Sequence, residues 1–231
     1  MIYPIEPVIL YYKIDFLLPE TNYLSLLDTI RTDKQAKIKR FRFYEDKLRC
    51  LFGELLLKYA LQKYFNINYT DEIITEDEFG KPHIKDKQIF FNISHSGDWV
   101  ALVCYINHCG IDIETMEKPP YEIMSRNFTP KEIIQINNNR PQIKEQNFYK
   151  MWTLKESYIK MIGQGLSIPL ESFCVDMTDT NKITVIDNNR LTNAIYFRLF
   201  NLDDKHIMAV CLRGWGEEII IYNVGVGEII K

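Results

Sequence analysis

An apolar run, Trp99 to Ile106, stops at a short Asn107-His108-Cys109 turn and resumes as Gly110-Ile111-Asp112-Ile113-Glu114. In an extended chain successive side chains point to opposite faces, so Asp112 and Glu114 share one face and Ile111 and Ile113 the other. Two carboxylates on one strand face repel unless a cation or a proton sits between them. One fold that suits this stretch brings positive charge to that face. A lone Asp-x-Glu is also compatible with a solvated edge strand, so the weight falls on a second charged stretch about forty residues downstream.

Residues 146–162 carry an apolar stripe of Phe148, Met151, Trp152, Ile159 and Ile162, the spacing of an amphipathic helix. Lys155 lies inside that stripe, and a charge on a buried face needs a partner. Glu156, one turn after Trp152, is placed to be a third carboxylate of a hard-cation site, and Lys160 to meet an anion. An ordinary Glu156–Lys160 surface pair would be worth only ~0.3 kcal/mol and leaves Lys155 unexplained.

Gly110 to Glu114 and Trp152-Thr-Leu-Lys-Glu-Ser-Tyr-Ile-Lys160 resemble the two signature motifs of the 4′-phosphopantetheinyl transferases, in particular the surfactin-synthetase-activating (Sfp) type. Asn92-Ile-Ser-His-Ser96 and Phe79-Gly-Lys-Pro82 match two further motifs in the same order, and the resemblance covers most of the chain, weakest at both ends. It implies a monomer of two similar α/β halves related by a pseudo-two-fold axis, residues 1–105 and 106–231. It implies Mg2+ held by Asp112, Glu114 and Glu156, with coenzyme A as co-substrate and an apo carrier protein (acyl, peptidyl or aryl) as acceptor. Lys34, Lys37 and Arg49 take the positions that bind the 3′-phosphate of coenzyme A, Lys81 and Pro82 those beside the adenine, and Ser94 and His95 those that contact the nucleotide. Lys160 would bind the co-substrate and steady the charge that develops, Glu156 would be the general base, and Lys155 would position it. The enzyme class implied is that of holo-[acyl-carrier-protein] synthase. After Glu114 the sequence continues Thr115-Met116-Glu117-Lys118, a departure from the pattern.

Composition sets limits consistent with this. The net charge of −3 does not suggest nucleic-acid binding. Five cysteines without a C-x-x-C pair argue against a disulfide framework and against structural zinc, and fit a reducing cytoplasm. No apolar run approaches ~18 residues and no signal-like leader is visible, so neither membrane insertion nor export is expected. Two rivals use similar residues: a non-catalytic metal-and-nucleotide-binding module, and magnesium-dependent nucleotidyl transfer.

In chain order, Val8–Ile14 is an expected strand. Thr32 and Gln35 form an expected capping box ahead of a basic helix 33–40, and a longer helix carries Leu48, Leu51, Phe52, Leu55, Leu56 and Tyr59. Gly53 inside that helix costs about 1 kcal/mol relative to Ala, which points to close backbone approach. Strands are expected over 88–94 and 99–106, joined by a His95-Ser96-Gly97-Asp98 turn. Thr129-Pro130-Lys131-Glu132 opens a helix that the 137–141 stretch breaks, and Gly163-Gln-Gly165 stops the motif helix. Strands are then expected over 172–177, 182–186, 194–200 and 207–212. The pattern is α+β, with a ligand cleft expected between the halves.

Overall fold

The computed structural model describes residues 4, 6–137, 140–179, 181–187, 190–192, 194–214 and 218–229. The chain runs β1 (Val8–Lys13), α1 (Glu20–Leu27), α2 (Thr32–Lys39), α3 (Tyr44–Phe65), β2 (Ile74–Glu76), β3 (Pro82–Ile84), β4 (Phe90–Ser96), β5 (Trp99–Tyr105) and β6 (Cys109–Thr115). It continues α4 (Met124–Asn127), α5 (Pro130–Ile136), α6 (Pro141–Ile162), β7 (Phe173–Asp176), β8 (Thr184–Asp187), β9 (Arg190–Leu191), β10 (Ile195–Asn201), β11 (His206–Arg213), β12 (Ile220–Asn223) and α7 (Val226–Ile229). The described strands form a six-stranded sheet of order β12-β1-β5-β4-β3-β2, a three-stranded sheet β10-β11-β6, and a small sheet β7-β8-β9.

The apolar run explains the layering. Every residue of β5 is buried, which requires cover on both faces. Val100, Leu102 and Cys104 point into a core shared with Leu48, Phe52 and Leu55 of α3. Trp99, Ala101, Val103 and Tyr105 point the other way, into a core shared with Ile111 and Ile113 of β6 and Met208, Val210 and Leu212 of β11. Ile207, Ala209 and Cys211 of β11 then face Met151, Leu154 and Tyr158 of α6. The order is α3, first sheet, second sheet, α6: two halves, each a long helix on a largely antiparallel sheet, packed sheet to sheet.

The last strand departs from the sequence reading. β12 pairs parallel with β1 (Val8 opposite Ile220), and α7 docks on α3, where Tyr59 Oη donates to Glu228 Oε1 at 3.0 Å. The division at 105/106 therefore misplaces the C-terminal segment, which returns to the first sheet and satisfies an edge of β1 that β5 does not cover.

Most local expectations hold, with three corrections. Thr32 is the first helical residue of α2 rather than a cap: its N–H donates to Asp71 Oδ1 at 2.8 Å, and Gln35 Nε2 turns back to Ile30 O at 2.9 Å. The β4–β5 hairpin turns at Gly97 and Asp98 alone, because Ser96 still pairs with Trp99, so His95 and Ser96 belong to the strand. The motif helix begins at Pro141, earlier than its apolar stripe suggests. The Thr129–Glu132 capping box is present in both directions, and Gly163 closes α6 at φ 88°. Gly53 lies where a Cβ would come within 3.0 Å of Ile93, the close approach its presence in a helix implied.

Candidate active site at the junction of the halves

Gly110 decides how near α6 comes to β6. A Cβ there would lie 2.1 Å from Ser157 O and 2.4 Å from Met161 N, so only glycine lets the helix backbone rest on the strand. Lys81 locks that contact from the side: its ammonium donates to Lys160 O (2.7 Å), Met161 O (2.9 Å) and Cys109 O (3.1 Å). Two of these are carbonyls that a helix C-terminus leaves without intrahelical partners, and the lysine charge complements that end.

β6 is held on its other flank by side chains. β11 takes one edge of β6 in an ordinary antiparallel ladder. On the opposite edge Asn92 Oδ1 accepts from Ile111 N–H (2.8 Å), Ser94 Oγ from Ile113 N–H (3.2 Å) and Ser96 Oγ from Thr115 N–H (3.0 Å). The sequence offset is 19 each time, so β4 and β6 run parallel, with three β4 side chains doing what a backbone ladder would. The buried N–H groups of β6 are thereby satisfied.

Over this seam lies a cavity of about 370 Å³ lined by Ser94, His95, Asp112, Glu114, Glu156 and Lys160, with Ile93, Ile113 and Trp152 completing its wall. Asp112 is 4% exposed. Its Oδ1 accepts from Lys160 Nζ at 2.5 Å and from Ser94 Oγ at 3.1 Å, while its Oδ2 is buried without a partner. Glu114 Oε1 accepts from Trp152 Nε1 at 3.1 Å. Burial pushes the Asp112 carboxyl up, opposed by Lys160 and Ser94. Burial and then the Asp112 charge raise Glu114 to about 7, and burial and then Asp112 raise Glu156. The carboxylates feel one another, and Lys160 is the cation that lowers all three. His95 reaches solvent yet is crowded by its neighbours, and desolvation, then the Arg49 and Lys160 charges, hold its imidazole below the ordinary value.

The donor set suits a hard divalent cation that keeps ligands from elsewhere. All donors are carboxylate oxygens, and one of them, Asp112 Oδ2, is buried with nothing to bind. Among the described residues no three His, Cys, Asp or Glu side chains close around a point that could hold a metal ion by themselves. Carboxylate oxygens of this kind are the protein ligands a hard divalent cation takes when phosphate and water supply the rest of its shell.

A second cavity, of about 340 Å³, lies between α2, the β2–β3 hairpin and β4, and is lined by Arg31, Asp33, Lys34, Thr75, Pro82 and Phe91 among others. The structure thus brings Ser94, His95, Asp112, Glu114, Glu156 and Lys160 together in one cavity, and Lys34 with Pro82 in another. Lys37 is exposed on α2. Arg49 lines a separate surface hollow, with Nε donating to Gly97 O (2.8 Å) and Nη1 to Asp46 Oδ1 (2.7 Å).

Two expected site residues are turned elsewhere. Lys81 lines neither cavity; its stem packs over Gly163, so the stem does not lie open for a base. Lys155 is fully buried on the far side of α6. Its ammonium donates to Glu132 Oε1 (2.6 Å) and Phe173 O (2.9 Å), and Glu132 also accepts from Val175 N–H (2.7 Å) and Thr129 N–H (2.7 Å). This pair ties α6 to α5 and β7. Sequence reasoning passed over Asn92 and Ser96 as seam acceptors and Trp152 as the donor to Glu114. The signal for the first two was there, as polar residues at every second position of a strand.

Two family models match the chain: the 4′-phosphopantetheinyl transferase superfamily over residues 108–211 and the 4′-phosphopantetheinyl transferase N-terminal model over residues 19–107. The chain is 33% identical over 183 residues to 4′-phosphopantetheinyl transferase Sfp of Bacillus subtilis (strain 168), covering 79% of this chain and 81% of that protein. It is 37% identical over 175 residues to 4′-phosphopantetheinyl transferase gsp of Aneurinibacillus migulanus, covering 76% and 73%. It is 28% identical over 217 residues to the L-aminoadipate-semialdehyde dehydrogenase-phosphopantetheinyl transferase of Mus musculus, covering 83% and 70%. With the acid-lined cavity between two sheet-and-helix halves, these matches show that the chain belongs to the 4′-phosphopantetheinyl transferases of the Sfp type, which move the phosphopantetheine group of coenzyme A onto carrier proteins.

Proposed function

We propose that the reaction is magnesium-dependent and runs in the cavity around Asp112, with a serine hydroxyl of an acyl, peptidyl or aryl carrier as acceptor, the chemistry of the holo-[acyl-carrier-protein] synthase class. The observation that carries this is the unpartnered, buried Oδ2 of Asp112, a residue that lines one cavity together with Glu114, Glu156, Lys160 and His95. Asp112, Glu114 and Glu156 would hold the metal, which when bound neutralises pyrophosphate charge.

The chain's own residues account for the remaining steps. Lys160, fixed by Asp112 and Ser94, sits where charge grows on the departing 3′,5′-ADP. His95 starts neutral, and a phosphate beside it favours its protonated, donating form. Burial raises the Glu156 carboxyl above its ordinary value, which suits it to take the serine proton directly or through water as the serine oxygen bonds to phosphorus and the pyrophosphate bond breaks. Lys34 and Pro82 place the 3′-phosphate and the adenine in the second cavity, with Lys37 and Arg49 as further positive charges along the approach. Lys155 and Lys81 act through the scaffold, by holding α6. The five cysteines are all free, which suits a reducing cytoplasm, and no helix among the described residues is long and apolar enough to cross a membrane.

Glu156→Gln separates base from ligand. It keeps one oxygen but cannot accept a proton, so turnover is expected to fall by a factor on the order of 10² to 10⁴, while coenzyme A affinity in magnesium falls far less. Near-normal turnover would remove Glu156 as the base; collapse of binding together with turnover would make it a metal ligand only.

A further inference from the structure

Lys34 is held in an unusual way for a lysine on a basic helix. Its ammonium is 3.1 Å from Glu54 Oε1, with its side chain 27% and that of Glu54 3% exposed. Glu54 rises from α3 behind the second cavity, and two other groups fix it. Arg31 Nη2 donates to Oε1 at 3.5 Å, and Tyr69 Oη donates to Oε2 at 2.6 Å while itself accepting from Arg31 N–H at 3.4 Å. Arg31 is 5% exposed and its Nε, buried, has no partner.

Charge arithmetic gives this cluster its meaning. One carboxylate against Lys34 alone would orient the ammonium and also cancel it. With Arg31 on the same carboxylate, Arg31, Lys34 and Glu54 sum to one net positive charge, and the most exposed of the three is Lys34. Two further acids line the cavity: Asp33, 3.4 Å from Arg31 Nη1 and 61% exposed, and Glu76, also exposed, so water screens both. The carboxylate can therefore aim Lys34 without neutralising the site.

We propose that Glu54, braced by Tyr69, is the positioning residue for Lys34, and that Arg31 supplies the balancing charge that keeps the Lys34 ammonium attractive to a phosphate monoester at the mouth of this cavity. This rests on the reading that Lys34 meets the 3′-phosphate of coenzyme A. It assigns the preference for that phosphate to Glu54 and Tyr69 behind the residue that touches it, and to Arg31 beside it in the cavity wall. Holding a flexible lysine in place spares the entropy its ordering would otherwise cost on binding.

The test is calorimetric titration of the purified full chain, in magnesium buffer, with coenzyme A and with 3′-dephospho-coenzyme A, read as the ratio of the two affinities. The unmodified chain is expected to prefer coenzyme A. Arg31→Gln is expected to reduce that preference roughly tenfold, the scale of one charge-assisted contact, with 3′-dephospho-coenzyme A bound as before. Tyr69→Phe keeps every charge and is expected to reduce the preference about threefold, a partial loss of the same contact energy. Tyr69→Phe also covers the case in which Arg31→Gln fails to fold. In a Lys34→Gln background Tyr69→Phe is not expected to move the ratio further, since it changes no charge and its coupling passes through Lys34. Variants that melt earlier but keep the ratio would make the cluster purely structural and overturn the proposal. No preference in the unmodified chain would overturn the placement of the 3′-phosphate at Lys34 itself, and this inference with it.

Discussion

Asn92→Ala tests the seam that carries the acid strand. Asn92 Oδ1 accepts the Ile111 N–H at 2.8 Å, Ile111 is fully buried, and β11 takes the opposite edge of β6. Truncation leaves that N–H without an acceptor, and an orphaned buried donor costs about 1–3 kcal/mol. Asn92→Ser restores an oxygen of the kind that serves at Ser94 and Ser96, so its expected cost is below ~1 kcal/mol. With a urea m-value of roughly 2–3 kcal/mol/M, Asn92→Ala should lower the unfolding midpoint by about 0.5–1 M, and Asn92→Ser by less than half as much. The assay is urea unfolding followed by far-ultraviolet circular dichroism, with amide exchange at Ile111 as the local readout. A midpoint and Ile111 exchange rate unchanged in Asn92→Ala would refute the reasoning, as would a serine variant no better than alanine.

The same geometry leads to three other expected outcomes. Asp112→Ala should fold, with metal-free stability unchanged or higher because a buried acid is removed from beside two others, yet transfer no phosphopantetheine; an unfolded variant on thermal melting would make Asp112 structural. Lys155→Met should cost about 3–5 kcal/mol by leaving Glu132 buried without its cation, and Lys155→Met with Glu132→Gln should recover most of it. Coenzyme A affinity measured below the melting transition should stay normal in both, and a selective loss of affinity would return Lys155 to the site. Glu114 is raised from 4.5 to about 7, so between those values the metal-free folded state binds more protons than the unfolded chain. Stability of the metal-free protein should rise as pH falls from above 7 toward 4.5, and Glu114→Gln should flatten that slope. Asp112 and Glu156 shift in the same direction, so a residual slope is expected, and an unchanged slope in melting curves across pH would contradict the assignment.

The layers of the fold were readable because β5 and β11 are apolar along almost their whole length and α3 and α6 carry stripes at helical spacing. The return of β12 to β1 was not, since Ile219-Ile220-Ile221-Tyr222 has the composition of a strand but nothing in it says which sheet edge it joins. The acid cluster was legible in the period-two alternation of Asp112 and Glu114 and in the turn spacing of Glu156 and Lys160. The partners of Lys155 and Lys81 were not legible for one reason: a lysine's position on an element does not say whether its ammonium reaches a ligand or a neighbouring carbonyl or carboxylate. Their partners, Glu132 on α5 and the terminal carbonyls of α6, are distant in sequence and become neighbours only once the layers pack. Glu54 went unread for the same cause, since its partners Arg31, Lys34 and Tyr69 all lie outside its own helix.

The central claim is that the cavity around Asp112 moves phosphopantetheine onto a carrier serine in a magnesium-dependent step. Intact mass of an apo carrier protein, after incubation with the purified chain and coenzyme A with and without magnesium, tests it most directly. The account predicts a phosphopantetheine increment on the carrier with magnesium, its loss when the metal is chelated, and its loss in Asp112→Ala. An unmodified carrier with every carrier type tried, or a nucleotide increment in place of phosphopantetheine, would contradict it.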